Sequence, residues 1–342
     1  MKLLIMGGTR FLGRQFVEAA LHGGHEVTLF HRGQTGADLF SKAEHILGDR
    51  TGPMDALRGR RWDAVVDTSA YFPDSLRASA ELLAGSVERY VFVSSISVYP
   101  EAPIIGMTED SPLAQLTAEQ LEQVYERRRQ GATGAAALGE AYGGLKALCE
   151  AEVEAALPGR ALIVRPGLIV GPHDSTDRFT FWVRRVARGG EVLAPADPQR
   201  GQQFIDARDL AEWMLRMILE KRAGIYQATG PESPLPMGAF LDACREASGS
   251  DAKFTWVSEE FLLEQKVGPW VEMPLWMPDG PGERGFMAMD CSRALAAGLT
   301  YRPVLDVVRD TLEWDRTRGD SPMAAGLKME REQQLLAAWH AR

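Results

Sequence analysis

Tyr142 and Lys146, in the run Tyr142-Gly-Gly-Leu-Lys146, stand four residues apart. On a helix that spacing places a phenol and an ammonium on one face. An ammonium beside a phenol favours the phenolate and brings its pKa from about 10 toward neutrality. Such a phenol exchanges a proton with a substrate hydroxyl or carbonyl. More hydroxyls come from Ser94 and Ser95, in Val91-Phe-Val-Ser-Ser-Ile-Ser-Val-Tyr99. The apolar start of that run reads as a strand, so Ser95 stands near its carboxyl end and can hydrogen-bond a reacting oxygen. Each signal alone is weak, because serines end many strands and Tyr-x-x-x-Lys recurs by chance. Their conjunction along the chain is what singles them out.

A second constellation lies at the N-terminus, Gly7-Gly-Thr-Arg-Phe-Leu-Gly13 after the apolar residues 3–6. Strand, glycine turn and helix start set a pyrophosphate against free backbone N–H groups. The cradle is formed by Gly7, Thr9, Arg10, Phe11, Leu12 and Gly13. Arg10 takes the middle position of a GxxGxxG spacing, and Gly13 lets the helix pack closely on the strand. The end of the second strand separates NAD from NADP: a carboxylate there binds the adenosine ribose, whereas an arginine accommodates a 2′-phosphate. This chain has His31 and Arg32 and no acid. Arg10 and Arg32 can converge on a phosphate, so NADP is the expected cofactor, with NAD the alternative. Asp49, followed by Arg50 at the end of the third strand, reads either as an adenine-edge contact or as half of a surface ion pair.

These residues need a scaffold, and the pattern supplies one. Strand-like segments at 3–6, 26–30, 45–47, 63–67, 90–93 and 161–164 alternate with helical periodicity at 10–22, 75–83 and 138–157. The fold class is α/β: a Rossmann doubly wound parallel sheet with a smaller α/β C-terminal substrate lobe. Residues 1–170 form the nucleotide-binding domain, to which 203–228 return; 171–202 and 229–342 form the substrate-binding lobe. The interval 99–139 breaks the rhythm with a charged helix at 116–129 and a small-residue stretch, read as mobile, at 131–137. It is a lid, a partner surface or a tolerated insertion. Trp256, Trp270 and Trp276 lie among prolines and glycines and either line a pocket or pack a small lobe.

Composition sets outer bounds. The 342 residues carry a formal charge of −9, which disfavours nucleic acid and anionic membranes as partners. Cys149, Cys244 and Cys291 are widely spaced, form neither a disulfide framework nor a metal-ligand pattern, and suit a reducing compartment. No metal is expected. No apolar run reaches the roughly 20 residues that span a bilayer, and residues 3–6 are too short for a signal peptide. A cytoplasmic location is expected.

Taken together, these motifs resemble the short-chain dehydrogenase/reductase superfamily in its extended or atypical branch, the NAD(P)-dependent epimerase/dehydratase-like family. Two further runs carry the resemblance: Arg165-Pro-x-x-x-x-Gly171-Pro172 and Phe204-Ile-Asp-Ala-Arg-Asp-Leu-Ala211. It implies that Tyr142 is the acid/base, that Lys146 lowers its pKa and holds the nicotinamide ribose, and that Ser95 polarises the substrate. Pro166 joins the cofactor contacts on the same ground. Departures narrow the chemistry. Ile96 and Ser97 replace the acidic pair of sugar dehydratases. Leu168 replaces an asparagine, and Gln202-Gln203 an arginine, of nucleotide-sugar enzymes, although Arg200 lies near. The expected function is an NADP(H)-dependent oxidoreductase acting on a carbonyl or secondary alcohol. A sugar epimerase is the nearest variant, and a cofactor-binding sensor or RNA-binding protein the reading from another class. The resemblance also implies a homodimer through the helices at 75–83 and around Tyr142.

Overall fold

A parallel strand buried on both faces needs apolar residues at successive positions, and Leu3-Leu-Ile-Met6 supplies them. The computed structural model describes residues 1–100, 104–131, 138–278, 280 and 285–342. Apart from Gly131, the stretch 131–137 lies outside the described residues, as do 279 and 281–284 of the aromatic region.

The chain lays down β1 (Lys2–Met6), α1 (Phe11–His22), β2 (Glu26–His31), β3 (Glu44–Leu47), β4 (Trp62–Asp67), α2 (Pro73–Leu83) and β5 (Val87–Val93). There follow α3 (Ala118–Arg129), α4 (Ala141–Ala156), β6 (Ala161–Pro166) and β7 (Leu168–Val170). Next come α5 (Arg178–Ala187), β8 (Glu191–Pro195), β9 (Gly201–Gln202), β10 (Phe204–Asp206), α6 (Ala207–Leu219) and β11 (Gly224–Ala228). The last elements are β12 (Leu235–Pro236), α7 (Met237–Ser248), β13 (Lys253–Val257), α8 (Glu259–Glu264), α9 (Ser292–Ala296), α10 (Val304–Thr317) and α11 (Met329–His340).

Seven strands pair in parallel in the order β11-β6-β5-β4-β1-β2-β3. The order reverses between β1 and β4, which opens a crevice beyond their carboxyl ends. Alternate residues of β1 serve opposite cores. Leu3 and Ile5 pack with α1 and α6 residues such as Phe16 and Leu210, while Leu4 and Met6 pack with Leu76 of α2 and Cys149 of α4. A third core gathers Phe179 and Trp182 of α5, Phe240 of α7, Val308 of α10 and Leu335 of α11. It holds β8 paired with β13, which the sequence reading passed over because both lie beyond the regular strand–helix alternation. Trp276 is buried in this core, and Trp256 and Trp270 pack against it, so these indoles fill the lobe.

The interruption before α4 is partly a docked helix. Thr117 and Gln120 form a capping box at the start of α3, and Val124 is buried. Tyr125 packs on Phe72, whose ring also lies under the Arg128 guanidinium at 4.3 Å. Arg128 pairs with Asp74 and donates to Ser75 Oγ, tying α3 to the start of α2.

A buried ion pair ties α4 to the sheet: Arg165 of β6 makes a two-pronged contact with Glu150 of α4, its closest approach 2.6 Å. The same guanidinium donates to Tyr99 Oη and the Glu109 carbonyl. Breaking such a pair leaves an uncompensated buried charge, so Glu150→Ala should cost about 3–5 kcal/mol. Urea unfolding checks this: the midpoint should fall at constant slope, whereas an unchanged midpoint would show that the pair is dispensable.

Candidate functional site

Gly7 and Gly8 turn the chain out of β1 with φ of 106° and 91°, backbone that L-residues with a side chain rarely adopt. A Cβ on Gly13 would lie 2.9 Å from the Gly8 backbone, so α1 meets the turn with no room for a side chain. The start of α1 has no side-chain cap, and its first turn holds no acid. Its first-turn amides therefore have no side-chain competitor for an anion, which fits a dinucleotide pyrophosphate. Arg10 is exposed at the N-cap position, and its charge acts on Tyr71 across the crevice.

At the ends of β2 and β3 the expected contacts separate. Arg32 is exposed and lies beside Asp49, whose carboxylate caps the Thr51 N–H and hydroxyl and is held below the usual range mainly by that backbone hydrogen bond. Neither Arg10 nor Arg32 has a hydrogen-bond or ion-pair partner among the described residues. His31, expected to face the cofactor, has both ring nitrogens engaged: Gly33 N–H donates to Nδ1, and Nε2 meets His45 Nδ1 at 2.9 Å. Arg50 is a correction of the same kind. Its guanidinium turns inward onto Asp67 in two contacts of 2.7 and 2.5 Å, and not onto Asp49. Asp67 also accepts from Tyr90 Oη and Ser69 N–H. Burial opposes both charges, and their mutual attraction outweighs it, raising the Arg50 pKa and lowering that of Asp67.

The second constellation comes together beside this cluster. Ser95 follows β5 and caps the short turn Ile96–Val98, accepting from Ser97 N–H and donating to Ser97 Oγ. The α4 backbone runs so close to that turn that a Cβ on Gly143 would collide with the Ser97 carbonyl. This approach sets the Tyr142 phenol against Ser95. Burial pushes the Tyr142 pKa up to about 12, with Tyr71 adding to the rise and the Ser95 contact drawing it back. Lys146 donates to the carbonyls of Ala70 and Val93 at 3.0 and 2.6 Å, its third N–H making no hydrogen bond among the described residues and Nζ standing 4.1 Å from the Phe92 ring centroid. Burial lowers its pKa to about 8. The expected lowering of the Tyr142 pKa by Lys146 is not seen: burial dominates the phenol, and only the Ser95 contact pulls it down. Pro166 ends β6, opposite Ala228 of β11.

Sequence reading missed Tyr71, which lies four residues beyond the end of β4. Its ring centroid is 6.3 Å from that of Tyr142, and Lys146 Nζ stands 5.6 Å from it. Its place just past a strand's carboxyl end was the available signal. On the far side of the crevice, Leu168 is buried, Gln203 is bonded to the backbone of Pro231 and Met289, and Arg200 pairs with Glu259. A cleft of about 490 Å³ opens where Thr9, Arg10 and Phe11 of the glycine turn face His173, Trp314 and Arg318.

Comparison with known proteins gives the family. The family model for the NAD dependent epimerase/dehydratase family matches residues 3–228. A curated relative, the chloroplast stem-loop binding protein of 41 kDa b from Arabidopsis thaliana, is 25% identical over 269 residues, 72% of this chain and 63% of that protein. The match thus spans less than two thirds of that relative's length. A bifunctional pinoresinol-lariciresinol reductase of Forsythia intermedia is 50% identical over 46 residues, 14% of each chain. Among solved structures, the Bordetella bronchiseptica enzyme WbmH in complex with NAD+ superposes with a TM-score of 0.66 at 17% identity, covering 93% of this chain and 99% of that one. UDP-glucuronic acid 4-epimerase from Bacillus cereus in complex with NAD gives 0.65 at 15% identity, covering 94% and 100%. At these identities the likeness is one of fold.

Since burial holds the Tyr142 phenol protonated, the difference between wild-type and Tyr142→Phe ultraviolet titrations should show no tyrosinate signal up to pH 10. A Tyr142-dependent signal near pH 8 would contradict the geometry.

Proposed function

Because the chain belongs to the NAD dependent epimerase/dehydratase family, and is thus an NAD(P)-dependent enzyme, we propose that it is an NADP(H)-dependent oxidoreductase acting on a carbonyl or secondary alcohol. The observation that carries this is that Tyr142 stands against Ser95 and beside Tyr71, whose ring also neighbours the Lys146 ammonium, just past the carboxyl ends of β4 and β5. A bound nicotinamide supplies hydride exchange there. The turn amides from Thr9 to Gly13 would hold the pyrophosphate, and the third N–H of Lys146 would serve the ribose. Ser95 donates to the substrate oxygen, and Tyr142, protonated at rest, gives its proton to that oxygen in reduction and takes it back in oxidation. Arg10 and Arg32, both exposed and without ion-pair partners, favour the 2′-phosphate of NADP.

Epimerisation through a transient ketone would use the same residues, and the similar folds of known epimerases favour it as the second reading. Against a nucleotide-sugar substrate stand the apolar Leu168 and the neutral, backbone-bonded Gln203. The stem-loop-binding relative motivates an RNA-binding reading, which the charge of −9 disfavours.

Tyr142→Phe should lower turnover about 10²- to 10⁴-fold, the usual contribution of a positioned acid/base, with NADPH affinity nearly unchanged. Turnover close to wild type on a panel of carbonyl substrates would remove Tyr142 from the mechanism. Arg32→Asp with Arg10→Gly should weaken NADPH binding far more than NADH binding in a fluorescence titration. Equal losses would withdraw the NADP assignment.

A further inference from the structure

The β2–β3 connection is held by two histidines whose protonation the backbone dictates. Gly33 N–H can only donate, and it points at His31 Nδ1 at 3.1 Å, so Nδ1 carries no hydrogen. A neutral imidazole has one N–H, which must then sit on His31 Nε2 and point at His45 Nδ1, 2.9 Å away. His45 is therefore protonated on Nε2, which faces the Phe40 carbonyl at 3.3 Å, a group that can only accept. Amide, ring, ring and carbonyl form one directed chain, fixed at both ends by backbone groups. Protonating either ring would turn an acceptor nitrogen toward a donor. Burial, aided by His45, lowers the His31 pKa from its ordinary value and so keeps that ring neutral near neutral pH.

The relay ties the beginning of the connection, Gly33, to its far end, Phe40. Between them Thr35 Oγ1 reaches Thr9 Oγ1 of the glycine turn at 3.4 Å. Two consequences bear on cofactor choice. His31 ends β2, where a side-chain acceptor would meet the adenosine ribose, yet it has no ring nitrogen to offer. The next residue, Arg32, is held on the anchored connection with its guanidinium exposed and unpaired among the described residues. We propose that His45 is a specificity-determining positioning residue for the dinucleotide. By accepting the Nε2–H that the Gly33 amide dictates, it withholds that ring from the ribose hydroxyls and anchors the connection that presents Arg32 to a 2′-phosphate. This deepens the reading of the glycine turn as an NADP site and rests on it.

The test is made at pH 8, where a 2′-phosphate is fully ionised. Nitrogen-15 spectra of the imidazoles should show both His31 and His45 as Nε2–H tautomers; an Nδ1–H tautomer of either ring overturns the relay. Fluorescence titration then gives the NADH-to-NADPH ratio of dissociation constants. His45→Phe keeps a ring but removes the acceptor for His31, and the ratio should fall about tenfold, as for loss of one well-placed arginine–phosphate contact. His45→Gln, whose amide can accept from His31 and donate to Phe40, should keep the wild-type ratio. A ratio in His45→Phe within twofold of wild type, or the same fall in His45→Gln, overturns the proposal. Wild-type protein that binds NADH more tightly than NADPH would defeat the NADP reading instead, and the tautomers would still report on the relay.

Discussion

Charges buried at the carboxyl edge of a parallel sheet must find partners, and much of this site follows from how they do so. Arg50 from the loop after β3, Asp67 from the end of β4 and Tyr90 from the middle of β5 meet in one buried cluster. The Ser69 amide joins them, which fixes the turn that presents the Ala70 carbonyl to Lys146. Arg165 and Glu150 do the same between β6 and α4. Pairs of this kind add little net stability compared with apolar packing, but breaking one is costly. Their effect is to give Lys146 and Tyr142 a single arrangement.

Rigid backbone contacts complete that arrangement. Gly13 against Gly8 sets the start of α1, and Gly143 against Ser97 sets the start of α4. Each places a reactive feature, free amides in one case and a phenol in the other, at a distance that no side chain could allow. The α3 helix adds an outer wall, since Val124 shares a small apolar cluster with Phe72 and Leu145, against which Tyr71 and Tyr142 pack. The phenol is therefore desolvated from two sides. That explains why its pKa moves upward even with an ammonium one helical turn away.

The substrate side of the crevice has a different character. Arginine charges near it are satisfied internally, as in Arg200 with Glu259, and Gln203 serves the backbone. Around the glycine turn, Arg10 and Arg32 have no ion-pair partner among the described residues, whereas Arg14 pairs with Glu18 and Arg50 with Asp67.

Much was legible in the sequence because it depends on local pattern. Apolar runs gave the central strands, the Gly7–Gly13 spacing gave the turn, and the i, i+4 spacing put Tyr142 and Lys146 on one face. Strands β8 and β13 escaped because they lie in the lobe beyond the regular strand–helix alternation that marks the central sheet. The pairings of Arg50 and His31 could not be read from the chain at all, and only the place of Tyr71 just past a strand hinted at its position. Arg50 is adjacent to Asp49 in sequence yet pairs with Asp67, seventeen residues on; His31 meets His45, and Tyr71 meets Tyr142. The sequence by itself determined which groups were available and which elements carried them. Only the tertiary structure decided which charges neutralise each other and which face the crevice, because that depends on burial and on partners brought together from distant strands.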